Sequence, residues 1–519
     1  MLYQLLNNMI FNRHYLGLRH YAAFVRLNST EQIEYLRSVL NNGERDWTIV
    51  KENLLKKRGN YNEKNIDAMM LKVMVRSSEF DAAFKFADYL KAHNTELSLG
   101  ATNGLLILYH KFAKENSLSN KERSFILDSY KKLYDRYRIL DSSTAENLLH
   151  ALCSICEWKK CLRVLGDIKE SGKPTHSAYS TLIGMLFKIN KKTEALKIIN
   201  MSVIDRRPLQ DYPYEEWIKY IFRKYKDTKT IITYLDEICA HIKHSGIPIT
   251  KYTADKIKNA YSELKWETKY TTILRKNGEC TTCHERLDCM KLTQDEFTLL
   301  QNNVREKLIV GSDLFLKSSP QELERFQNFL NQTAPYDIVL DALNICYIAN
   351  QNIKDRLQVL KFVVNHFSNE NMKILLLGRK HMMKWNRGGL EYLLRRCLTF
   401  FTDDLSQDDP YFITAAIMSG PHTDIVSRDL LRGHRFILKQ DDLRMIFQRW
   451  QWEHQWKVFG NKRGPFIQSP LLFTPCAQKN SNIWHIPYEA EYTSTEGKVN
   501  DGVPDCSTWL CMKPNSVKK

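Results

Sequence analysis

From about residue 60 to residue 260, apolar residues recur at helical spacing in Lys- and Leu-rich sequence that is nearly free of proline, which predicts a run of long amphipathic helices. Sliding the chain on itself brings out a repeat. The segment from Ala145 through Leu152, followed by Cys161-Leu162, aligns with Tyr179 through Leu186 and Ala195-Leu196, an offset of 34. A third copy starts near Trp217-Ile218, 35 residues after Leu182-Ile183. Weaker copies lie at Met69-Met70, with Ala82 in the matching place, and at Leu105-Leu106. Each copy reads as an apolar stripe, a polar turn, and an Ala-Leu helix that packs back. Stacked helical hairpins, an α-solenoid, are therefore expected. Extra residues such as those before Lys131-Lys132 make the array irregular. Cys153 and Cys156 are read as packing residues one turn apart inside a helix of this array.

Further on the pattern changes to short apolar runs alternating with helical ones. Ile338-Val339-Leu340 predicts a strand ending in Asp341, Lys373 to Leu377 a buried strand, and Leu398 to Phe401 a third. A helix is expected from Pro410 through Met418, stopped by Ser419-Gly420, and then a strand over Asp424 to Ser427. Strand-helix alternation on this spacing predicts an α/β domain with a parallel sheet.

The boundary between the two patterns carries Cys280-Thr-Thr-Cys283 in a Gly-bearing turn, and the C-terminal stretch carries Trp484-His485 and Cys511. Cys280, Cys283, His485 and Cys511 would make a tetrahedral Cys₃His zinc site. Such a site would clasp the α/β domain between its two halves. Cys506 is an alternative fourth ligand. Cys289 and His284 are nearer in sequence, but would leave the terminal His-Cys group unexplained. A lone CxxC also suits a redox pair or an incidental spacing.

Carboxylates mark the predicted strand ends: Asp341, the pair Asp408-Asp409 before a helix, and Asp429 after the last strand. Ligands of open α/β sheets bind outside the carboxyl ends of the strands. Four hard oxygen ligands suit Mg²⁺ or Mn²⁺, and these ions promote phosphodiester hydrolysis through an activated water. Asp403-Asp404 is a rival pair. Asn344, Arg379, Lys380, His381, Arg428, Arg432 and His434 are candidates for orienting a ligand or holding substrate phosphates.

Charge supplies the substrate class. The 519 residues carry 76 Lys and Arg against 59 Asp and Glu, a net charge of +17, which favours a polyanionic partner such as nucleic acid. No run reaches the roughly 20 apolar residues of a membrane span, so no membrane association is expected. The first 30 residues contain no acid, and Arg13, Arg19 and Arg26 stand among Leu, Phe and Tyr, the pattern of a mitochondrial presequence. Together these features predict a metal-dependent ribonuclease.

The 34-residue unit around Tyr179-Ser180-Thr181-Leu182-Ile183 resembles a pentatricopeptide repeat, a family that binds RNA. Most of the chain resembles protein-only ribonuclease P, particularly its animal mitochondrial members. The resemblance rests on Val339-Leu-Asp341-Ala-Leu-Asn344, Leu377-Gly-Arg-Lys-His381, Ser406-Gln-Asp408-Asp409-Pro-Tyr411, Ser427-Arg-Asp429-Leu-Leu-Arg432-Gly-His434 and Trp450-Gln-Trp-Glu-His454-Gln455. It implies a presequence over 1–30 and a pentatricopeptide solenoid over 60–262. It also implies a split zinc-binding domain over 265–292 and 479–519, and an NYN/PIN-like metallonuclease domain over 293–478. The implied activity is removal of the 5′ leader from mitochondrial precursor tRNA in the matrix, leaving a 5′-phosphate on the tRNA. Asp341, Asp408, Asp409 and Asp429 would hold the catalytic Mg²⁺, and Zn²⁺ would be structural. A tRNA methyltransferase and a short-chain dehydrogenase are the implied protein partners. The chain departs from the family in having Ala342 after Asp341, where glycine is usual, and Gly433 where the family has Asp. The alternatives are a non-catalytic RNA-binding scaffold and a less selective NYN/PIN endonuclease acting on other RNA.

Overall fold

A computed structural model describes residues 31–41, 46–94, 96–205, 207–289, 291–304, 319–348, 353–385, 387–403, 409–429, 431, 441–461, 464–489 and 506–515. The predicted presequence lies outside the described residues. The chain divides into two compact units, residues 1–220 and 221–519.

The first unit is helical. Two helices, Glu31–Asn41 and Trp47–Lys56, precede the hairpins. These are Ile66–Arg76 with Phe80–His93, Leu99–Phe112 with Asn120–Arg136, Ser142–Ser154 with Trp158–Ser171, and His176–Lys188 with Lys192–Ile204. Side-chain caps set the starts: Ser98, Asp141 and Thr175 each accept from a backbone N–H in the first turn of the helix that follows. Residues matched by the 34-residue offset are buried alike: Leu148 with Leu182, Leu149 with Ile183, Cys161 with Ala195. The offset fails between Leu99 and Ser142, where residues 113–119 join the helices in place of the short turns elsewhere.

Cys156 corrects the sequence reading. The first helix of its hairpin ends at Ser154, and Cys156 is an exposed turn residue with φ +62°. Ser78 (φ +58°) and Asn190 (φ +62°) hold the same place in their hairpins. In all three the next backbone N–H donates back to the helix: Glu79 to Met74, Glu157 to Leu152, Lys191 to Leu186. This is the Schellman closure of a helix end, which needs a left-handed residue. Only Cys153 packs in the core.

His110 and His150 stack at 4.9 Å between successive repeats. Burial pushes both imidazoles down, His110 to about 3 and His150 to about 4, with nearby Lys111 and Lys114 adding to the shift.

The second unit holds two sheets. Strands β1 (Ile249–Thr250), β2 (Trp266–Thr271), β9 (Gln478–Asn480), β10 (Ile483–Glu489) and β11 (Trp509–Pro514) form one, in order β1-β10-β11-β2 with β9 against β10. Strands β3 (Ile338–Asp341), β4 (Ile374–Arg379), β5 (Leu398–Thr402), β6 (Asp424–Val426), β7 (Gln455–Asn461) and β8 (Gly464–Gln468) form the other, in order β5-β4-β3-β6-β7-β8. The larger sheet is parallel from β5 through β7, as expected, and β8 adds an antiparallel edge. One apolar cluster, including Val339, Leu377, Ile425, Phe412, Phe447 and Trp450, covers one face; another, including Leu340, Leu376, Val426, Leu360 and Phe367, covers the other. Buried on both faces, the strands read as unbroken apolar runs. The chain winds outward from β3 through β4 to β5, then returns to lay β6 on the other side of β3. The switch point therefore falls between β3 and β6, where an open α/β sheet leaves its crevice.

Candidate metal centres and nuclease site

The smaller sheet brings the thiols together. His485 of β10 stands opposite Cys511 of β11 in the antiparallel register. Cys280 bridges to Ile273, just beyond β2, and the turn it opens carries Cys283. The preceding turn, residues 275–277, closes on Gly278: its φ is +71°, and a Cβ there would lie 3.1 Å from the Phe473 side chain. The ligand atoms of Cys280, Cys283, His485 and Cys511 all lie within 4.8 Å of one another, the only such cluster of His, Cys, Asp and Glu found among the described residues. Cys506 stays outside the cluster, though its carbonyl accepts from Ile273 N–H at 2.7 Å.

The thiols of this group perturb one another. Cys280 is held down to about 2 by hydrogen bonding from Cys511, with His485 and Thr271 contributing. Cys511, paired with that thiolate and desolvated, is pushed far up, and burial raises Cys283. Three sulfurs facing one another cannot all ionise unaided. A bound Zn²⁺ would let them, and the Cys₃His donor set fits tetrahedral coordination. The Thr282 backbone N–H already points at Cys280 Sγ at 3.4 Å.

At the larger sheet, Asp341 ends β3 at 7% exposure. Its Oδ1 caps the helix Ala342–Cys346 by accepting from Asn344 N–H at 3.1 Å, and its Oδ2 accepts from Ser427 Oγ at 2.9 Å. The turn after Asp341 is thus a helix start, and Ala342 sits in it without a positive φ, so the missing glycine does no harm. Ser427 Oγ in turn accepts from Asp429 N–H at 3.1 Å, so one buried hydroxyl joins the β3 carboxylate to the Asp429 turn. Gln455, at the start of β7, donates to both Ser427 O (2.7 Å) and Asp429 O (2.8 Å) and accepts from Gln451 (2.8 Å). Asn344 Oδ1 accepts from Arg428 N–H at 2.8 Å, which ties its side chain to the same turn.

Asp409 opens the helix Asp409–Ser419, while Asp408, Arg432 and His434 lie outside the described residues. The rival Asp403 is otherwise engaged: Lys380 pairs with its carboxylate, Arg325 stands 3.9 Å away, and its backbone N–H donates to buried Glu322. Arg379 ends β4, and His381 lies in the 3₁₀ turn after it, at the same carboxyl edge. Sequence reasoning missed Ser427 and Gln455 as members of the site. The pattern Trp450-Gln-Trp-Glu-His454-Gln455 was the available signal for the second.

Residues 274–511 match the family model described as protein-only RNase P. A mitochondrial ribonuclease P catalytic subunit from Mus musculus is 28% identical over 432 residues, covering 80% of this chain and 71% of the relative. Its Rattus norvegicus counterpart is 27% identical over 429 residues, with the same coverage. Among solved structures, the nuclear proteinaceous RNase P 2 of Arabidopsis thaliana superposes with a TM-score of 0.60 at 17% identity, over 87% of this chain and 100% of that one, a likeness of fold.

Proposed function

We propose that this chain is a protein-only ribonuclease P, a metal-dependent endoribonuclease, and that it removes the 5′ leader of mitochondrial precursor tRNA. The observation that carries this reading is the hydrogen-bonded constellation at the β3/β6 switch point. Asp341 and the Asp429 turn are fixed there by Ser427 and Gln455, with the Asp409 helix beginning on the same domain.

In this reading Asp341, Asp408, Asp409 and Asp429 hold Mg²⁺, with Mn²⁺ able to replace it. When bound, the ion supplies Lewis acidity to the phosphodiester and acidifies the attacking water. The protein's own part is positioning. Ser427 Oγ and the Asn344 backbone N–H each hold one oxygen of Asp341 by a hydrogen bond. Gln455 stops the Asp429 turn from swinging away. Asn344, Arg379, Lys380, His381, Arg432 and His434 are assigned to the substrate. The helical array supplies further RNA contacts, and the net charge of +17 makes binding fall steeply with salt. Zn²⁺ at the thiol cluster is structural, and the same reading places the protein in the matrix with a tRNA methyltransferase and a short-chain dehydrogenase as partners.

The test is cleavage of a 5′-extended mitochondrial precursor tRNA in Mg²⁺, with and without those two partners, comparing wild type with Asp341→Asn. A single cut at the mature 5′ end, lost in the variant, is the expected result. No cut by wild type under any condition would leave an RNA-binding scaffold. Cuts scattered along unrelated RNA would make it a general endonuclease.

A further inference from the structure

Strand β7 does not stop at the carboxyl edge of its sheet. The paired part of β6 ends at Val426, level with Trp456, but β7 runs on to Asn461 and returns as β8. Leu340 is also level with Val426, so Asp341, Ser427 and Lys457 stand side by side and Phe459 two residues beyond. Strand alternation puts Phe459 on the face of Gln455 and Ile425, which is the face of Val339, Asp341 and Ser427. Two strand spacings and two residues place Phe459 roughly 12 Å from Asp341.

Phe459 is paired across the hairpin with Phe466. Their rings lie 5.4 Å apart at an interplanar angle of 25°. Phe466 is 42% exposed, so one ring of the pair is open to solvent. The Arg428 guanidinium lies 6.0 Å from the Phe459 ring. Both sides of this group are anchored. Asn344 holds the backbone of Arg428, and Gly460 passes so near Ile348 that an added Cβ would meet it at 3.1 Å. A paired aromatic surface with a cation beside it, on the same sheet face as Asp341, suits a nucleotide better than a solvent-facing loop.

We propose that Phe459, Phe466 and Arg428 form a stacking platform for an unpaired base of the RNA strand cut at the carboxylates, namely a leader nucleotide. The inference rests on the precursor-tRNA reading above. Bases of a paired acceptor stem offer no free π-face, whereas single-stranded leader bases do, and base-aromatic stacking tolerates any sequence. The neighbouring guanidinium serves the strand's phosphate and adds a cation–π contribution.

The test measures binding by the full-length chain, with Mg²⁺ withheld so that no turnover occurs. The probes are a precursor with a leader of several nucleotides, the same precursor with abasic leader positions, and the mature tRNA. Phe466→Ala should weaken binding of the natural precursor about tenfold, the order expected for one stacked base. It should leave mature tRNA as in wild type. Abasic leader positions should weaken wild type by the same factor and make it indifferent to the substitution. Phe466→Leu, which keeps the hairpin's apolar contact without an aromatic face, should behave like Phe466→Ala. Equal loss on mature tRNA would overturn the proposal by putting the platform on the tRNA body or its 3′ end. No loss on any probe would reduce the rings to hairpin packing. If wild type failed to prefer tRNA-containing probes over unrelated RNA, the precursor-tRNA reading itself would fall.

Discussion

In the proposed reading the thiol cluster and the carboxylate edge of the larger sheet are both metal centres, built on opposite plans. The thiol cluster is closed: four soft donors from two distant stretches of chain face inward, three of them buried, with the polar contacts turned on one another. The carboxylate site is open. Its described members are tied to the protein by backbone amides, Ser427 and Gln455, at a switch point of the sheet. A closed donor set spends its binding energy on folding, whereas an open one keeps positions for water and substrate. The same unit thus separates stability from chemistry.

The largest expected effect tests the closed plan. Cys280→Ser, or removal of zinc by chelation, should lower the stability of the second unit by more than about 3 kcal/mol, because a buried cation site loses a partner. Unfolding in denaturant, followed with and without added Zn²⁺, measures it. Asp341→Asn should do the reverse. Cleavage should fall by more than the roughly 10- to 100-fold typical of a partner that only orients a metal ligand, with unfolding little changed. Steady-state rates beside a thermal melt would show whether the two effects separate.

Gln455→Ala sharpens the contrast one step out from the metal. Its loss frees the carbonyls of Ser427 and Asp429, so the Mg²⁺ concentration needed for half-maximal cleavage should rise about 10- to 100-fold. Gln455→Glu should not rescue it, since the donor is what matters. Mn²⁺ binding followed by electron paramagnetic resonance gives a readout that does not depend on turnover.

The helical array supplies a metal-free counterpart. His110 and His150 are held neutral by burial, with folded values near 3 and 4. Their unfolded forms take up protons near pH 6.5, so the unfolded state binds more protons as the pH falls through that range. Stability of the first unit should therefore be full above about pH 6.5 and decline toward pH 4. Each histidine would contribute about 2 kcal/mol of loss by pH 5. Acid titration of wild type against His110→Gln checks this, and a flat profile in wild type would contradict it. The smallest effect is expected at Asp403. Asp403→Asn breaks a half-exposed ion pair with Lys380, worth at most about 1 kcal/mol, and should leave cleavage within a few-fold of wild type.

Legibility in the sequence followed the same division. The repeat was visible because each helical hairpin buries the same positions, so Leu148 and Leu182 carry the signal on their own. The strands ending at Asp341 and Arg379 were visible because burial on both faces leaves unbroken apolar runs. Cys280 and Cys283 could be found by spacing. The choice of Cys511 over Cys506 needed the β10–β11 register, which pairs Cys511 with His485. Cys156 misled because a helical pattern does not reveal where a helix turns left-handed, and only the copies at Ser78 and Asn190 make that position plain. Ser427 and Gln455 were hidden for another reason. Their roles depend on which strands are neighbours, and β6 and β7 meet only through a long connection in the chain.

One measurement bears most directly on the two-centre account: metal content and Mn²⁺ binding of wild type beside Asp341→Asn. Both proteins should retain one tightly held zinc, and only wild type should show the Mn²⁺ site that Mg²⁺ displaces. Loss of zinc with Asp341→Asn, or a Mn²⁺ site undiminished by it, would contradict the separation of a closed structural centre from an open catalytic one.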